Sequence, residues 1–337
     1  MTTLTKYSRR LYILTILMFV LNNAGAQQMP LFSQYVMNGF MVNPSLAGRD
    51  GYTTINITLR EQWMGIKDGP STFALNFQSS LLKNSFILSQ NSVRRRGRRP
   101  SKPSRVGLGG SLYNDNNGIM RRSGFKVDYA YHIPLGRTRD GQDHLSFGLG
   151  LVMYQHVIKA GNLNYSYDDD PYFSTYDRSV FITDFSFGTN YTTEKYYIGF
   201  SMTNILRGSL IFGSDSQQKR GEIGHYFLTG GYNYKVNREW TITPSAFIKT
   251  SDMVLKSAQF DLTTRVYYKE NYWAGLSYRT KDALTLLLGF RYDRFYFANS
   301  FDLALTDIRT RSLGSYELSI AVKFGESSRR YRWLNSY

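Results

Sequence analysis

After position 50 the chain keeps returning to one pattern: segments of about ten residues in which apolar and polar side chains alternate, separated by turn residues. Alternation of period two means a strand with two unlike faces, because successive side chains point to opposite sides of it. The segments are Tyr52–Trp63, Thr72–Leu82, Val106–Tyr113, Gly124–Leu135, His144–Ile158, Val180–Tyr191, Tyr196–Ile205, Gly224–Val236, Trp240–Thr250, Gln259–Tyr268, Tyr272–Arg279, Leu284–Tyr292, Phe295–Leu303 and Tyr316–Phe324. In the first, Thr53, Ile55, Ile57 and Leu59 share a face. In the fourth, Phe125, Val127, Tyr129, Tyr131 and Ile133 do, with Lys126, Asp128 and His132 opposite. The expected fold is all-β: an antiparallel transmembrane β-barrel of the outer-membrane type with about 14 strands. A soluble β-sandwich or repeat protein is the rival reading of the same pattern.

Composition favours the barrel. Apolar residues make up 42% of the chain and aromatic residues 16%, yet the mean hydropathy of −0.37 is too polar for a bundle of membrane helices. A barrel needs that mixture, with one residue in two facing lipid and the other a polar lumen. The links also sort as closure requires. Short ones (Thr192–Lys195, Asn237–Glu239, Lys269–Asn271, Asp293–Arg294) alternate with long ones (Lys159–Ser179, Leu206–Ile223).

The first 26 residues read as a secretory signal: Lys6, Arg9 and Arg10, then the apolar run Leu11–Leu21, then Ala24-Gly25-Ala26. The run is short for a permanent helix, which needs about 20 apolar residues. Cleavage would leave Gln27 first. Four parts are expected: signal peptide 1–26, a plug or docking segment 27–50, the barrel 51–324 and a basic tail 325–337.

There is no cysteine, which removes disulfides and thiolate metal sites together. The net charge of +16 suits anionic lipid or acidic partner surfaces, and the export signal argues against nucleic acid. His132, His144, His156 and His225 have no metal-ligand spacing, and neither a G-x-S-x-G motif nor a phosphate-cradling loop occurs. No catalytic residue, metal or cofactor is expected. Asp168-Asp169-Asp170 could offer oxygen ligands to Ca²⁺, but without a complete loop spacing it reads as an acidic loop.

Two stretches break the alternation. In Gln27–Gly48, Phe32, Tyr35, Phe40 and Met41 are too irregularly spaced for a lipid-facing strand, and Asn43-Pro44 would end a helix or start a turn. This segment reads as a plug in the lumen or as a docking element, with Phe32, Ser33, Gln34, Tyr35, Asn38, Asn43 and Pro44 as partner-binding candidates. The link Lys83–Arg105 is too long for its side of a barrel and carries Arg94, Arg95, Arg96, Arg98 and Arg99. It is either a solvated basic stretch or a contact for an acidic partner.

The opening Gln27-Gln-Met-Pro-Leu-Phe-Ser-Gln-Tyr-Val-Met-Asn-Gly-Phe-Met-Val-Asn-Pro-Ser-Leu-Ala-Gly48 resembles that of the PorP/SprF family of type IX secretion membrane proteins of the Bacteroidetes. So do Arg60-Glu-Gln-Trp-Met-Gly with Asp68-Gly-Pro-Ser, Asn114-Asp-Asn-Asn-Gly, Tyr129-Ala-Tyr-His-Ile-Pro-Leu and Trp273-Ala-Gly-Leu-Ser-Tyr. The resemblance implies an outer-membrane barrel, lodged in lipid, that serves type IX secretion or gliding. Its implied partners are the C-terminal domain of a secreted adhesin and a periplasmic ring of a lipoprotein and its partner. Two other roles compete: a passive porin with Lys126, Arg265 and Arg279 in its lumen, and a structural anchor between outer membrane and ring.

Overall fold

The computed structural model describes residues 32–35, 37–81, 105–118, 120–137, 142–158, 178–207, 209–210, 220–221, 223–251 and 258–324. Fourteen strands build the wall. They are β1 (Thr53–Glu61), β2 (Ser71–Leu81), β3 (Val106–Asn117), β4 (Met120–Arg137), β5 (Gln142–Ile158), β6 (Arg178–Thr192), β7 (Tyr196–Thr203), β8 (His225–Tyr232), β9 (Trp240–Thr250), β10 (Gln259–Tyr268), β11 (Tyr272–Arg279), β12 (Ala283–Tyr292), β13 (Phe295–Ala304) and β14 (Ser315–Phe324). Each pairs antiparallel with its neighbour in sequence, and the last pairs with the first from Thr53↔Phe324 to Glu61↔Tyr316. The sheet is therefore a closed cylinder with no free edge, as a sheet in hydrocarbon must be.

Parity along each strand sets which way a residue faces. In β1, Thr54, Asn56, Thr58 and Arg60 are buried, while Ile55, Ile57 and Leu59 are exposed. The same alternation runs through β13 of the other wall, where Tyr296, Ala298, Ser300 and Asp302 point in. An outer surface of exposed leucine, isoleucine and phenylalanine around a polar interior is the inverse of a soluble sandwich, and it sets that rival aside. Tyr196, Tyr232, Tyr234, Trp240, Tyr272, Tyr292, Phe295 and Phe324 are exposed close to the rim where the wall begins and ends. This terminal rim thus carries an aromatic girdle suited to the lipid–water boundary. Several of its links are tight; in one, Lys269 and Glu270 both have positive φ (49° and 56°), the geometry that matches the twist of a two-strand hairpin.

One boundary differs from the alternation pattern. The polar run Asn114–Asn117 is strand, paired with β4 from Asn114↔Ser123 to Asn117↔Met120, and Gly118 (φ 58°) turns the hairpin. Alternation fails there because neither face of the hairpin end is presented to lipid, while the hydrogen-bond ladder continues regardless. Residues 1–26, where a signal peptide is expected, Arg94–Arg99, Asp168–Asp170 and residues 325–337 lie outside the described residues.

Candidate functional site

The inside of the cylinder is occupied by the chain's own residues 32–35 and 37–50. They form no strand with the wall. The segment makes one helical turn (Gly39–Val42), and then Asn43 caps a 3₁₀ turn (Pro44–Leu46), its Oδ1 accepting from Ser45 N at 3.1 Å with Pro44 at the first position. Asn43-Pro44 thus ends one turn and starts the next.

From Ser33 to Tyr52 the segment winds from the distal half of the lumen to the terminal rim, touching nearly every part of the wall. Asn38 donates to Thr58 Oγ1 on β1 (2.8 Å) and accepts from Asn76 on β2 (3.0 Å). Lys126 on β4 donates to the carbonyls of Phe40 and Met41 at 3.1 and 3.0 Å, and its ammonium forms an ion pair with Asp128 Oδ1 at 2.9 Å. Ser201 on β7 donates to Val42 O (2.9 Å), and Asn43 Nδ2 donates to Thr189 O on β6 (3.1 Å). His132 Nε2 meets Ala47 O at 3.0 Å. The apolar side chains are shared around the wall. Met37 packs against Tyr267, Trp273 and Tyr296, Val42 against Phe227 and Phe247, and Leu46 beside Phe40 and Ala130.

The wall is moulded to this path. A Cβ added to Gly107 would sit 1.9 Å from Ala47 O; at Gly148 it would sit 2.2 Å from Ser45 N, and at Gly188 2.0 Å from Asn43 Oδ1. Only glycine leaves room there for the segment, whose backbone presses on Gly107 and Gly148 and whose Asn43 side chain presses on Gly188.

The distal end is fastened by charge. Glu317 on β14 accepts the backbone N–H of Ser33 (2.7 Å) and of Gln34 (2.9 Å), and Arg60 on β1 donates to it at 3.0 Å. Arg60 also donates to Asp302 on β13 (2.7 Å), which accepts from Ser33 Oγ, and to Ser33 Oγ itself (2.6 Å). All three charged groups are buried. Such a cluster is tolerable only because its members are hydrogen-bonded to one another, and removing one member typically costs about 3–5 kcal/mol.

A match to the type IX secretion system membrane protein PorP/SprF model spans residues 24–322. The chain belongs to the PorP/SprF family. It is a type IX secretion system membrane protein built as an outer-membrane barrel. No curated relative matches it. Among solved structures it is similar to the KdgM porin (11% identity over 81% of this chain and 99% of that one, TM-score 0.38). It is also similar to Omp33 of Acinetobacter baumannii (7%, 82% and 100%, 0.43) and to a mutant porin of Rh. blastica (8%, 81% and 99%, 0.32).

In this PorP/SprF barrel, Phe32, Ser33, Gln34, Tyr35, Asn38, Asn43 and Pro44 come together inside the lumen, buried against the wall. Arg60, Asp302 and Glu317 were not among the sequence candidates. Their signal was available: three charged residues at inward parity near the distal ends of β1, β13 and β14. At the terminal rim the segment leaves a cavity of about 70 Å³, lined by apolar Met37, Val42 and Phe247 and edged by Arg49, Asp50 and Lys323.

Proposed function

We propose that this barrel is a non-enzymatic component of the type IX secretion and gliding machinery that holds a partner instead of conducting solutes. In this reading residues 27–50 are a resident plug, the secreted adhesin binds through its C-terminal domain, and the periplasmic ring lipoprotein and its partner are contacted at the terminal rim. Arg94, Arg95, Arg96, Arg98 and Arg99 are the candidates for that rim contact, being cations in a link on the side where both chain ends enter the wall. The observation that carries the reading is the filled lumen: a segment hydrogen-bonded to opposite walls and seated in glycine gaps leaves little room for a solute path, which counts against the passive porin.

The test has two arms. Deleting the gene should remove one particular surface protein while leaving solute uptake unchanged, and the tagged barrel drawn from native membranes should bring that protein or the ring with it. Large open conductance of the purified barrel in planar bilayers, with no co-purifying protein, would replace this reading with the porin.

A further inference from the structure

Several inward-facing cations of the wall are matched by carboxylates. Arg60 has Asp302 and Glu317, Lys126 has Asp128, Arg279 has Asp261 and Asp282, and Lys323 has Asp50. Arg265 on β10 differs. It is 3% exposed, and among the described residues no carboxylate lies within ion-pair distance. Its stem lies across Gly275 on β11, where a Cβ would come within 2.9 Å of its Cγ. The guanidinium lies 5.8 Å from the ring centroid of Tyr35 of the luminal segment, with Tyr267 within hydrogen-bonding reach and Tyr197 near enough to act on it electrostatically. Among the described residues, Nε and Nη2 have no hydrogen-bond partner. Those two nitrogens form one edge of the guanidinium, the edge whose parallel N–H bonds grip both oxygens of a carboxylate. A buried guanidinium with that edge empty is costly unless something supplies the missing charge.

Arg265 does not itself line the cavity at the terminal rim; two of the rings near it do. Tyr35 and Tyr197, which flank Arg265, also line the cavity that opens at the terminal rim. Met37, Val42 and Phe247 give the cavity an apolar strip beside polar Gln78 and Asn190, and its edge carries Arg49 and Lys323, both paired with Asp50. We propose that Arg265 is the centre of a carboxylate-binding site reached from the terminal rim, taking a carboxylate on an apolar stem, with the Tyr35 ring as the cover that turns aside to admit it. The carboxylate then accepts from Nε and Nη2 while its stem lies along Met37, Val42 and Phe247. No covalent step is involved. A free aliphatic acid and the carboxyl end of a peptide present the same chemistry.

The test uses the full mature barrel in detergent and reads binding calorimetrically at constant ionic strength. The probes are sodium hexanoate against hexanamide, and a short leucine-rich peptide with a free carboxyl end against its amide. At least one carboxylate should bind saturably and its amide should not; the tighter of the two identifies the source. Arg265→Met should weaken binding by about tenfold or more, since it removes both prongs of a charge-assisted pair. Tyr35→Ala, which removes the cover, should tighten it. Ligand-free Arg265→Met should melt no lower than the parent, because it deletes an uncompensated buried charge. If it does not fold, Arg265→Lys serves instead: it keeps the charge, loses the two-pronged edge, and should bind weakly. The proposal is overturned by no saturable binding of either carboxylate, by equal binding of the amides, or by a methionine or lysine variant that binds as the parent does.

Discussion

The two halves of the barrel wall solve the same problem differently. Between β3 and β7 the inner face carries a run of small residues, Gly107, Gly109, Ser146, Gly148, Gly150, Ser186, Gly188 and Gly199, among larger ones such as Lys126 and His132, and residues 40–47 lie against it. Between β10 and β13 the wall fills its own lumen with Arg265, Tyr267, Trp273, Arg279, Leu287 and Tyr296. One half is a mould and the other a packed core. A passive pore would need neither, and the mould has a purpose only if the segment that fits it is normally present. Glycines within strands weaken a sheet, by about 0.5–1 kcal/mol each relative to alanine. Keeping several on one side means that the seated backbone offsets that cost.

The sharpest way to break the contrast is to fill the mould. Gly148→Val puts a branched side chain where Ser45 N now sits, so residues 40–47 must leave. The expected outcome is the largest change of the set: a barrel that still shows heat-modifiable gel mobility but now conducts in planar bilayers. Gly230→Ala, whose Cβ meets only Tyr197 O at 3.6 Å, should leave conductance at the parent level. A silent Gly148→Val would mean that the segment does not block the lumen.

Removing the fastening comes next. Arg60→Met leaves Asp302 and Glu317 buried side by side and should cost about 3–5 kcal/mol, read as a fall in the denaturant midpoint of the folded barrel. Adding Glu317→Gln should restore part of the loss, because it relieves the carboxylate repulsion; a further drop instead would mean that the cluster is not acting as a charge unit. The outer wall gives the smaller effect. Ile57→Arg places a cation at mid-strand on the lipid face and should cost about 2–4 kcal/mol, with the same substitution at Leu59, nearer the strand end, costing less. Equal losses at both depths would argue against a bilayer around the wall.

Much of this was legible in the residues. The number of strands and the facing of Ile55, Phe125, Lys126 and Asp128 follow from parity, which is local. The irregular spacing of Phe32, Tyr35 and Phe40 marked their segment as something other than wall, again a local property. What was not legible joins distant positions. Nothing near Ser33 announces Glu317, since the pair meets only when the cylinder closes. The glycines of β3 and β5 looked like strand glycines, because the backbone pressing on them comes from residues 45–47. Asn114–Asn117 concealed a strand because its pairing continues beyond the stretch that lipid constrains.

The position of Glu317 has a consequence for biogenesis. It belongs to the final strand, and its partners Ser33 and Gln34 lie 284 and 283 residues earlier, so their bonds cannot form until β14 has met β1. Contacts of such long range come late on any folding route, since the entropy of loop closure must be overcome before they can contribute. Zipping the seam and anchoring the leading segment are therefore one concluding event. A chain arrested before it would leave Glu317 without Ser33 and Gln34, which would distinguish immature barrels from finished ones in the envelope.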